Sequence, residues 1–289
     1  MSKKKVQGLL ILLVVYVLAA LVGYLSFNLL NESLDVYLRL FIADAIATVF
    51  VWLSGVFFKS ASVYDPYWSV QTVVIYVAIM ITKSAYNFGS ILLLLCILFW
   101  AVRLTFNFAH GFDDISYVDW RYKMLKEKTG SLFQLVNLLG IHMFPTIVVF
   151  LASIPAYMYL LDGKQFEVFN LAGLLIMVFA TFLELVSDLN MAKFKKERAD
   201  RNQIINVGLW RYSRHPNYLG EILFWYGLAL VYLLPDFSNV YVITGAVVNH
   251  LMFLFISIPM AENHMKKYKE NFGEYQKETR MLLPFKKNK

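Results

Sequence analysis

Long apolar runs alternate with short polar segments along the whole of this 289-residue chain. The runs at 6–30 and 36–58 are each long enough for a membrane-spanning helix, which needs about 20 mostly apolar residues. Further runs follow at 68–82, 90–109, 138–161, 168–189, 219–234 and 239–260. The pattern predicts an all-α fold, a polytopic membrane helix bundle of about eight transmembrane helices, in which the third and seventh are the shortest.

The chain shows no internal repeat, low-complexity stretch or soluble linker, so we expect one membrane domain. Its first apolar run follows Lys3, Lys4 and Lys5 and continues well beyond the core of a cleaved signal peptide. We therefore interpret residues 1–34 as an N-terminal transmembrane anchor helix and residues 35–289 as the membrane domain.

The composition favours a lipid environment. Hydrophobic residues make up 59% of the chain and charged residues 16%, whereas a soluble domain has about 25% charged residues. This excludes a disordered chain, which lacks apolar surface, and disfavours a soluble enzyme. The single cysteine, Cys96, lies in an apolar run and permits no intramolecular disulfide.

Positive charge is distributed unevenly between the loops. If the N-terminus is cytoplasmic and eight helices cross the membrane, all but four of the 27 Lys and Arg residues lie on the cytoplasmic side. The exceptions are Arg39, Lys83, Arg103 and Lys164. The positive-inside rule then predicts a multi-pass protein with both termini cytoplasmic. The net charge of +7 in so apolar a chain favours anionic lipid or an anionic cofactor as partner, and no nucleic acid.

Several polar residues interrupt the predicted spans, where a charge costs roughly 2.5–3.5 kcal/mol or more. Arg103 and Asn107 lie one turn apart on the fourth span, and Glu184 and Asp188 have the same spacing on the sixth. Such groups either pair with one another to hold the bundle together or form a functional site. For these four we favour a functional site, whereas for single residues such as Asp44 and His250 we favour pairing.

The densest polar cluster is the segment 208–221, GLWRYSRHPNYLGE. Pro216 suits the first turn of a helix, so the seventh helix is predicted to begin near His215. Its unpaired backbone N–H groups then point into the cytoplasmic loop, where Arg211, Arg214 and His215 are concentrated. Such an arrangement suits a phosphate or carboxylate.

Asn217 and Glu221 follow one turn apart on the same helix face, where they can hydrogen-bond an amide or a ribose hydroxyl. Upstream, the basic stretch 193–201 has two interpretations. It either attracts anionic lipid or lies along a phosphate-rich cofactor, since Asp188 and Lys195 share a helix face.

Common cofactor signatures are absent from the sequence. No two glycines have the G-x-G spacing of a dinucleotide fingerprint or a phosphate loop. The five histidines show no ligand-spaced pair, so no metal site is expected, and no G-x-S-x-G motif supports a serine nucleophile.

Five segments, in order, resemble the steroid 5α-reductase family, and most closely its bacterial branch long labelled a domain of unknown function. The resemblance covers roughly residues 35–285. It is carried by 62–68 (SVYDPYW), 100–107 (WAVRLTFN), 119–122 (DWRY), the Glu184/Asp188 helix with 208–221, and a tail of 257–262 (SIPMAE) with Tyr268, Tyr275, Thr279 and Pro284.

The resemblance implies a membrane reductase with NADPH held near its cytoplasmic face. Hydride would pass to a carbon–carbon double bond conjugated to a carbonyl, in a hydrophobic sterol- or lipid-like substrate that enters from the lipid. The residues that it assigns to the cofactor are Arg103, Asp188, Lys195, Asn217, Glu221, His264 and Tyr268. With these we group polar neighbours from the same segments, namely Asn107, Arg211, Tyr212, Arg214, His215 and Tyr218.

The sequence departs from the family at the carbonyl-binding positions. Where the steroid enzymes have a tyrosine three residues before the equivalent of Arg103, this chain has Trp100, which donates through its indole N–H alone. The family's Gln-Glu pair has no plain counterpart, and the nearest acid is Asp65. Protonated Asp65 would polarise the substrate carbonyl, whereas ionised Asp65 would cap the third helix. We therefore predict Asp65 and Trp100 as the catalytic residues.

Two alternatives remain open at this point. The motif R-H-P-x-Y-x-G at 214–220, with Glu262 and 272–275 (FGEY), also resembles S-adenosylmethionine-dependent membrane methyltransferases for isoprenylcysteine and phospholipids. A non-enzymatic lipid-binding or transport protein is the second alternative, in which the buried charges line a permeation path.

Overall fold

The computed structural model describes residues 2–200 and 202–284, and within those residues the chain is helical with no β-strand. The helices of the first half are α1 (Lys3–Leu29), α2 (Val36–Phe57), α3 (Tyr67–Thr82), α4 (Phe88–Gly111), α5 (Trp120–Thr129), α6 (Phe133–Val136) and α7 (Phe144–Leu161). Those of the second half are α8 (Asn170–Glu197), α9 (Pro216–Leu233), α10 (Thr244–Met252), α11 (Ile258–Tyr268) and α12 (Phe272–Glu278). The predicted all-α membrane bundle is confirmed.

Each of the eight apolar runs contains a long helix or a series of consecutive helices, but six stretches meet the length and hydropathy of a membrane span in the described chain. They are Lys3–Leu29, Val36–Phe57, Phe88–Gly111, Trp120–Leu161, Asn170–Glu197 and Phe237–Tyr268. The two remaining runs, predicted to be the shortest, correspond to α3 and α9. α3 has 16 residues and is about 24 Å long, which is less than the ~30 Å hydrocarbon core. α9 has 18 residues but begins with the polar sequence PNYLGE. The cytoplasmic placement of the termini stays a prediction.

The chain forms two compact units, residues 1–86 with 100–151, and residues 87–99 with 152–289. In the first unit α1 packs on α2 around an apolar cluster that includes Leu12, Ala19, Ala47 and Val51. Helix α2 begins at a side-chain cap, because the Asp35 carboxylate accepts from the backbone N–H groups of Tyr37 and Leu38. The predicted division of the chain at residue 35 stays a prediction.

The second unit is organised around α8 and α9, which lie unusually close together. Gly173 of α8 is so close to α9 that a Cβ atom there would lie 2.5 Å from the Val231 nitrogen and 2.6 Å from the Gly227 oxygen. At the same end of this helix pair, the Asn170 side chain donates to the Val231 carbonyl over 2.6 Å. Glycine thus lets the two backbones touch, which fixes how the residues of α8 face those of α9.

Candidate functional site

The start of α9 confirms the prediction made from Pro216. The helix begins at Pro216, and His215 precedes it in a non-helical conformation (φ −139°, ψ 59°). No side chain caps this end of the helix, so its first backbone N–H groups and the positive end of its dipole face the preceding loop.

Glu262 of α11 lies at the centre of a charged cluster beside this helix start. Its Oε1 atom accepts from Arg214 Nε at 2.7 Å and from His215 Nε2 at 3.0 Å, and Oε2 accepts from the Gln276 amide. The Arg214 guanidinium also donates to the backbone carbonyls of Gln276, at 3.2 Å, and of Thr279. We define these five residues as the Glu262 cluster.

The Glu262 cluster changes the interpretation of the predicted anion-binding residues. The structure brings Arg214 and His215 together as predicted, but it satisfies both of them with a carboxylate of the same chain. An incoming anion would therefore meet the exposed Arg211 and the uncapped first turn of α9 more readily. In the sequence, Glu262 was noted only as part of a family resemblance. Its position as a lone acid close to an apolar run could also have indicated a buried ion pair.

The C-terminal tail is attached to the same region. The backbones of Ser213 and Arg280 form a parallel bridge, and the Arg214 N–H donates to the Arg280 carbonyl over 2.9 Å. The Tyr275 hydroxyl donates to the Trp210 carbonyl over 2.5 Å, and burial raises the pKa of Tyr275. Tail, loop and helix start therefore form one connected structure.

The first turns of α9 carry a buried carboxylate, Glu221, and a partly buried amide, Asn217. Glu221 is 4% exposed and accepts from the indole N–H of Trp225 at 2.8 Å. The Oδ1 atom of Asn217 is buried and has no hydrogen-bond partner among the described residues. On α8 the buried Glu184 side chain lies against Gly220. Glu184, Asn217 and Glu221 thus place polar groups on these two mostly apolar helices.

The other predicted cofactor residues of this unit are more accessible. Asp188 is half-buried one turn after Glu184, while Lys195 and Tyr212 are exposed. Tyr218 stacks on the His215 ring, with 5.2 Å between the centroids. Near the end of α11 the partly buried His264 packs on the ring of Tyr268, which is itself 61% exposed.

In the first unit Asp65 lies directly before α3 but does not cap it. The helix has Pro66 at its N-cap and no side-chain cap, so the capping alternative is wrong. The Asp65 carboxylate accepts from the Tyr122 hydroxyl and lies 3.9 Å from Arg121 Nη2. The Asp65 carboxylate thus faces α5, because Tyr122 and Arg121 both lie on that helix. The Asp119 carboxylate holds Arg121 in place by accepting a 2.7 Å bond from its Nε atom.

Burial raises the pKa of Asp65 to about 6, against the lowering effects of the Arg121 charge and the Tyr122 hydrogen bond. The folded state therefore binds this proton more tightly than the unfolded state does. Its stabilising contribution is complete below pH ~4, the ordinary pKa of an aspartate, and is lost as the pH rises through about 6.

We expect this loss to amount to about 3 kcal/mol, since the pKa is raised by roughly two units, each unit is worth ~1.4 kcal/mol, and the side chain is only 15% exposed. Melting curves of the wild type and Asp65→Asn between pH 4 and 8 measure it. Across that pH range, the free energy of unfolding should fall more in the wild type than in the variant, and the difference should be about this amount. Parallel profiles for the two proteins would show that Asp65 has no raised pKa.

The remaining predicted residues lie on the part of α4 that belongs to the first unit. Trp100 is fully buried and makes an edge contact with Trp68, with centroids 5.4 Å apart. Arg103 is 7% exposed, whereas Asn107 is exposed. The catalytic role of Trp100 and the cofactor role of Arg103 and Asn107 stay predictions.

The first unit also contains a buried polar network that the sequence did not indicate. The Thr146 hydroxyl bonds the Tyr64 hydroxyl at 2.8 Å and the Thr48 hydroxyl at 3.1 Å. The His142 ring packs on Tyr64 at 4.7 Å. Neutral hydroxyls occur routinely in membrane helices, so neither charge nor spacing distinguished these residues.

Fold and site together define a polytopic helical membrane protein with a buried polar cluster where α9 meets the tail. Residues 51–279 match the family described as "Protein of unknown function (DUF1295)", and the chain belongs to that family. An uncharacterized protein of Schizosaccharomyces pombe is 25% identical over 204 residues, which are 61% of this chain and 58% of that relative's length. The chain thus spans less than two thirds of that relative. No solved structure matches it.

Proposed function

We propose that this protein is an integral-membrane, NADPH-dependent reductase. It would transfer hydride to a carbon–carbon double bond conjugated to a carbonyl in a hydrophobic substrate. The proposal is supported by the ordered motifs that resemble steroid 5α-reductases, and every predicted site residue falls within the family match at 51–279. The observation that carries it is Asn217, whose buried amide oxygen lacks a partner beside the uncapped start of α9.

The residues of the second unit fit a cofactor of this kind. Asn217 has a buried acceptor for an amide or hydroxyl donor, and the half-buried Asp188 would accept from ribose hydroxyls. Phosphates would take the backbone N–H groups of α9 together with Arg211 and Lys195, both of which are exposed. Tyr212 and Tyr268 offer exposed aromatic faces for a planar ring.

When bound, NADPH supplies a hydride. The chain's own contribution to the other half of the reaction would come from Asp65. With a pKa of about 6, a fraction of the Asp65 carboxyl groups carry a proton near neutral pH, and such an acid can donate a hydrogen bond to a substrate carbonyl. The neighbouring Tyr122 hydroxyl and Arg121 hold the carboxyl group in place. The indole N–H of Trp100 is the second candidate donor.

Ligand-induced stabilisation tests the proposal directly. NADPH should raise the melting temperature of the detergent-purified protein, and S-adenosylmethionine should not. Asn217→Ala should weaken NADPH binding about tenfold, because it leaves a cofactor donor unpaired in a dry site. The control is Asn28→Ala, since Asn28 is exposed and bonds the Tyr24 carbonyl one turn earlier on α1; NADPH affinity should not change in that variant.

The opposite results have distinct meanings. Stabilisation by S-adenosylmethionine alone would favour the methyltransferase, whose resemblance rests on Arg214, His215, Glu262 and Tyr275, of which the first three lie in the Glu262 cluster. Stabilisation by neither ligand would favour a lipid-binding or transport protein. Equal NADPH affinity in Asn217→Ala and the wild type would remove Asn217 from the site.

A further inference from the structure

The second unit contains a groove of about 630 Å³ between α9, α10 and the C-terminal tail. Ile222 and Tyr226 of α9 form its floor, and His250 of α10 lies at one end, where its Nδ1 atom is 3.3 Å from the Tyr226 hydroxyl. The tail forms one wall, which is held in place because Leu282 is buried against Ile222 and Ile258. The volume is within the range of small-molecule sites, ~300–1,000 Å³.

This groove lies on the opposite face of α9 from the proposed cofactor site. At 100° per residue, the four groove-lining residues of α9 are centred about 170° from the mean direction of Asn217 and Glu221; they are Leu219, Ile222, Leu223 and Tyr226. The groove is therefore separate from the proposed cofactor site, and a bound cofactor would not fill it. Its lining spans positions 219–226 of α9, about 10 Å along the helix axis, or a third of the ~30 Å hydrocarbon core.

Two arginines line the groove, which is otherwise almost entirely apolar: Arg214 and Arg280. The charge of Arg214 is balanced by Glu262 at 2.7 Å. Arg280 is exposed, and the parallel bridge to Ser213 fixes its backbone at the start of α9. Among the residues that the structure describes, Arg280 is therefore the one at this end that is placed to attract an anion.

An apolar trough with a cation at one end is complementary to an amphiphile with an anionic head. The predicted orientation places the start of α9 and the tail on the cytoplasmic side, where the head groups of the inner leaflet lie. A chain attached to a head group on Arg280 would run along α9 towards Tyr226 and into the hydrocarbon layer.

We propose that this groove is a binding site for an anionic membrane lipid. One acyl chain lies along the partly exposed side chains of Leu219, Leu223 and Tyr226, and the head-group phosphate pairs with Arg280. Since the lipid bridges α9 and the tail, it stabilises the folded second unit. It binds independently of any cofactor, so the site stands or falls separately from the reductase proposal.

Lipid-dependent melting of the full chain in a neutral detergent tests the site. We titrate dioleoyl phosphatidylglycerol and dioleoyl phosphatidylcholine, which share their chains and differ in head-group charge. Phosphatidylglycerol should stabilise the protein at lower concentrations, and Arg280→Gln should weaken its apparent affinity about tenfold or more. The matched control is Lys277→Gln, because Lys277 is exposed on α12 and does not line the groove. The affinity of Lys277→Gln for phosphatidylglycerol should equal that of the wild type.

Two further probes separate the chain from the head group. Dihexanoyl phosphatidylglycerol and inorganic phosphate carry the anion without a long chain, and each should stabilise the protein far less than the dioleoyl lipid does. Leu223→Trp should reduce the phosphatidylglycerol effect by filling the groove, since Leu223 lines it. Equal effects of the two dioleoyl lipids, equal losses in Arg280→Gln and Lys277→Gln, or full stabilisation by phosphate would each overturn the proposal.

Discussion

Replacement of Glu262 by glutamine is expected to destabilise the second unit by about 3–5 kcal/mol, the usual cost of breaking a buried ion pair from one side. The side chains of Glu262 and Arg214 are 11% and 10% exposed, so water cannot replace the lost carboxylate. The neutral amide leaves the Arg214 guanidinium without a counter-charge and turns a donor towards His215. Thermal melting in detergent, followed by circular dichroism, measures the loss.

Glu270→Gln is the control for this prediction. Glu270 is exposed and lies eight residues further along the chain, and its replacement by glutamine removes the same formal charge. Its melting temperature should remain within experimental error of the wild type. If Glu262→Gln melts with this control, the Glu262 cluster contributes nothing net to stability, and the attachment of tail to helix must come from apolar contacts.

Gly173→Ala is expected to have the second large effect, a loss of about 1–3 kcal/mol from overpacking. The new methyl group would lie 2.5 Å from the Val231 nitrogen and 2.6 Å from the Gly227 oxygen. Both are backbone atoms that cannot rotate away, so α8 and α9 must separate along their length. This displaces Glu184 relative to Asn217, so NADPH-induced stabilisation should fall in the same variant.

Gly140→Ala is the matched control for the glycine contact. Gly140 is exposed, and its nearest contact for a new Cβ atom is the Val136 side chain at 3.9 Å. The same substitution there should leave the melting temperature unchanged or raise it slightly, because alanine is the better helix former. Equal losses at Gly173 and Gly140 would mean that the close approach of α8 and α9 is not what the substitution disturbs.

The fold was largely predictable, because lipid imposes strong constraints on sequence. Within the bilayer a single chain segment can satisfy its backbone hydrogen bonds only as a helix. The apolar runs therefore predicted the helices, six of the eight runs contain a stretch that meets the length and hydropathy of a span in the described chain, and Pro216 predicted the start of α9. What the pattern did not give is which helices touch. The contact of Gly173 with Val231 depends on the absence of a side chain, which hydropathy does not register.

The candidate site was predictable in its composition more than in its pairing. Charge in an apolar context indicated Arg214, His215 and Glu221, and the structure shows all three to be part of buried polar contacts. The partner Glu262 comes from 48 residues further along the chain, and no local periodicity connects the two. The structure shows that burial raises the pKa of Asp65, while its catalytic role stays a prediction; its partner Tyr122 is neutral and 57 residues away.

The Glu262 cluster also sets an order in which the protein can be completed during synthesis. Arg214 leaves the ribosome before its partners, since Glu262 and Thr279 follow 48 and 65 residues later. At about 5–20 residues per second, this delay lasts several seconds. During that interval Arg214 and His215 lack the carboxylate that neutralises them in the folded protein. The cluster therefore closes only after Thr279 has been synthesised, and a nascent chain arrested before Glu262 has an unneutralised positive charge at the start of α9.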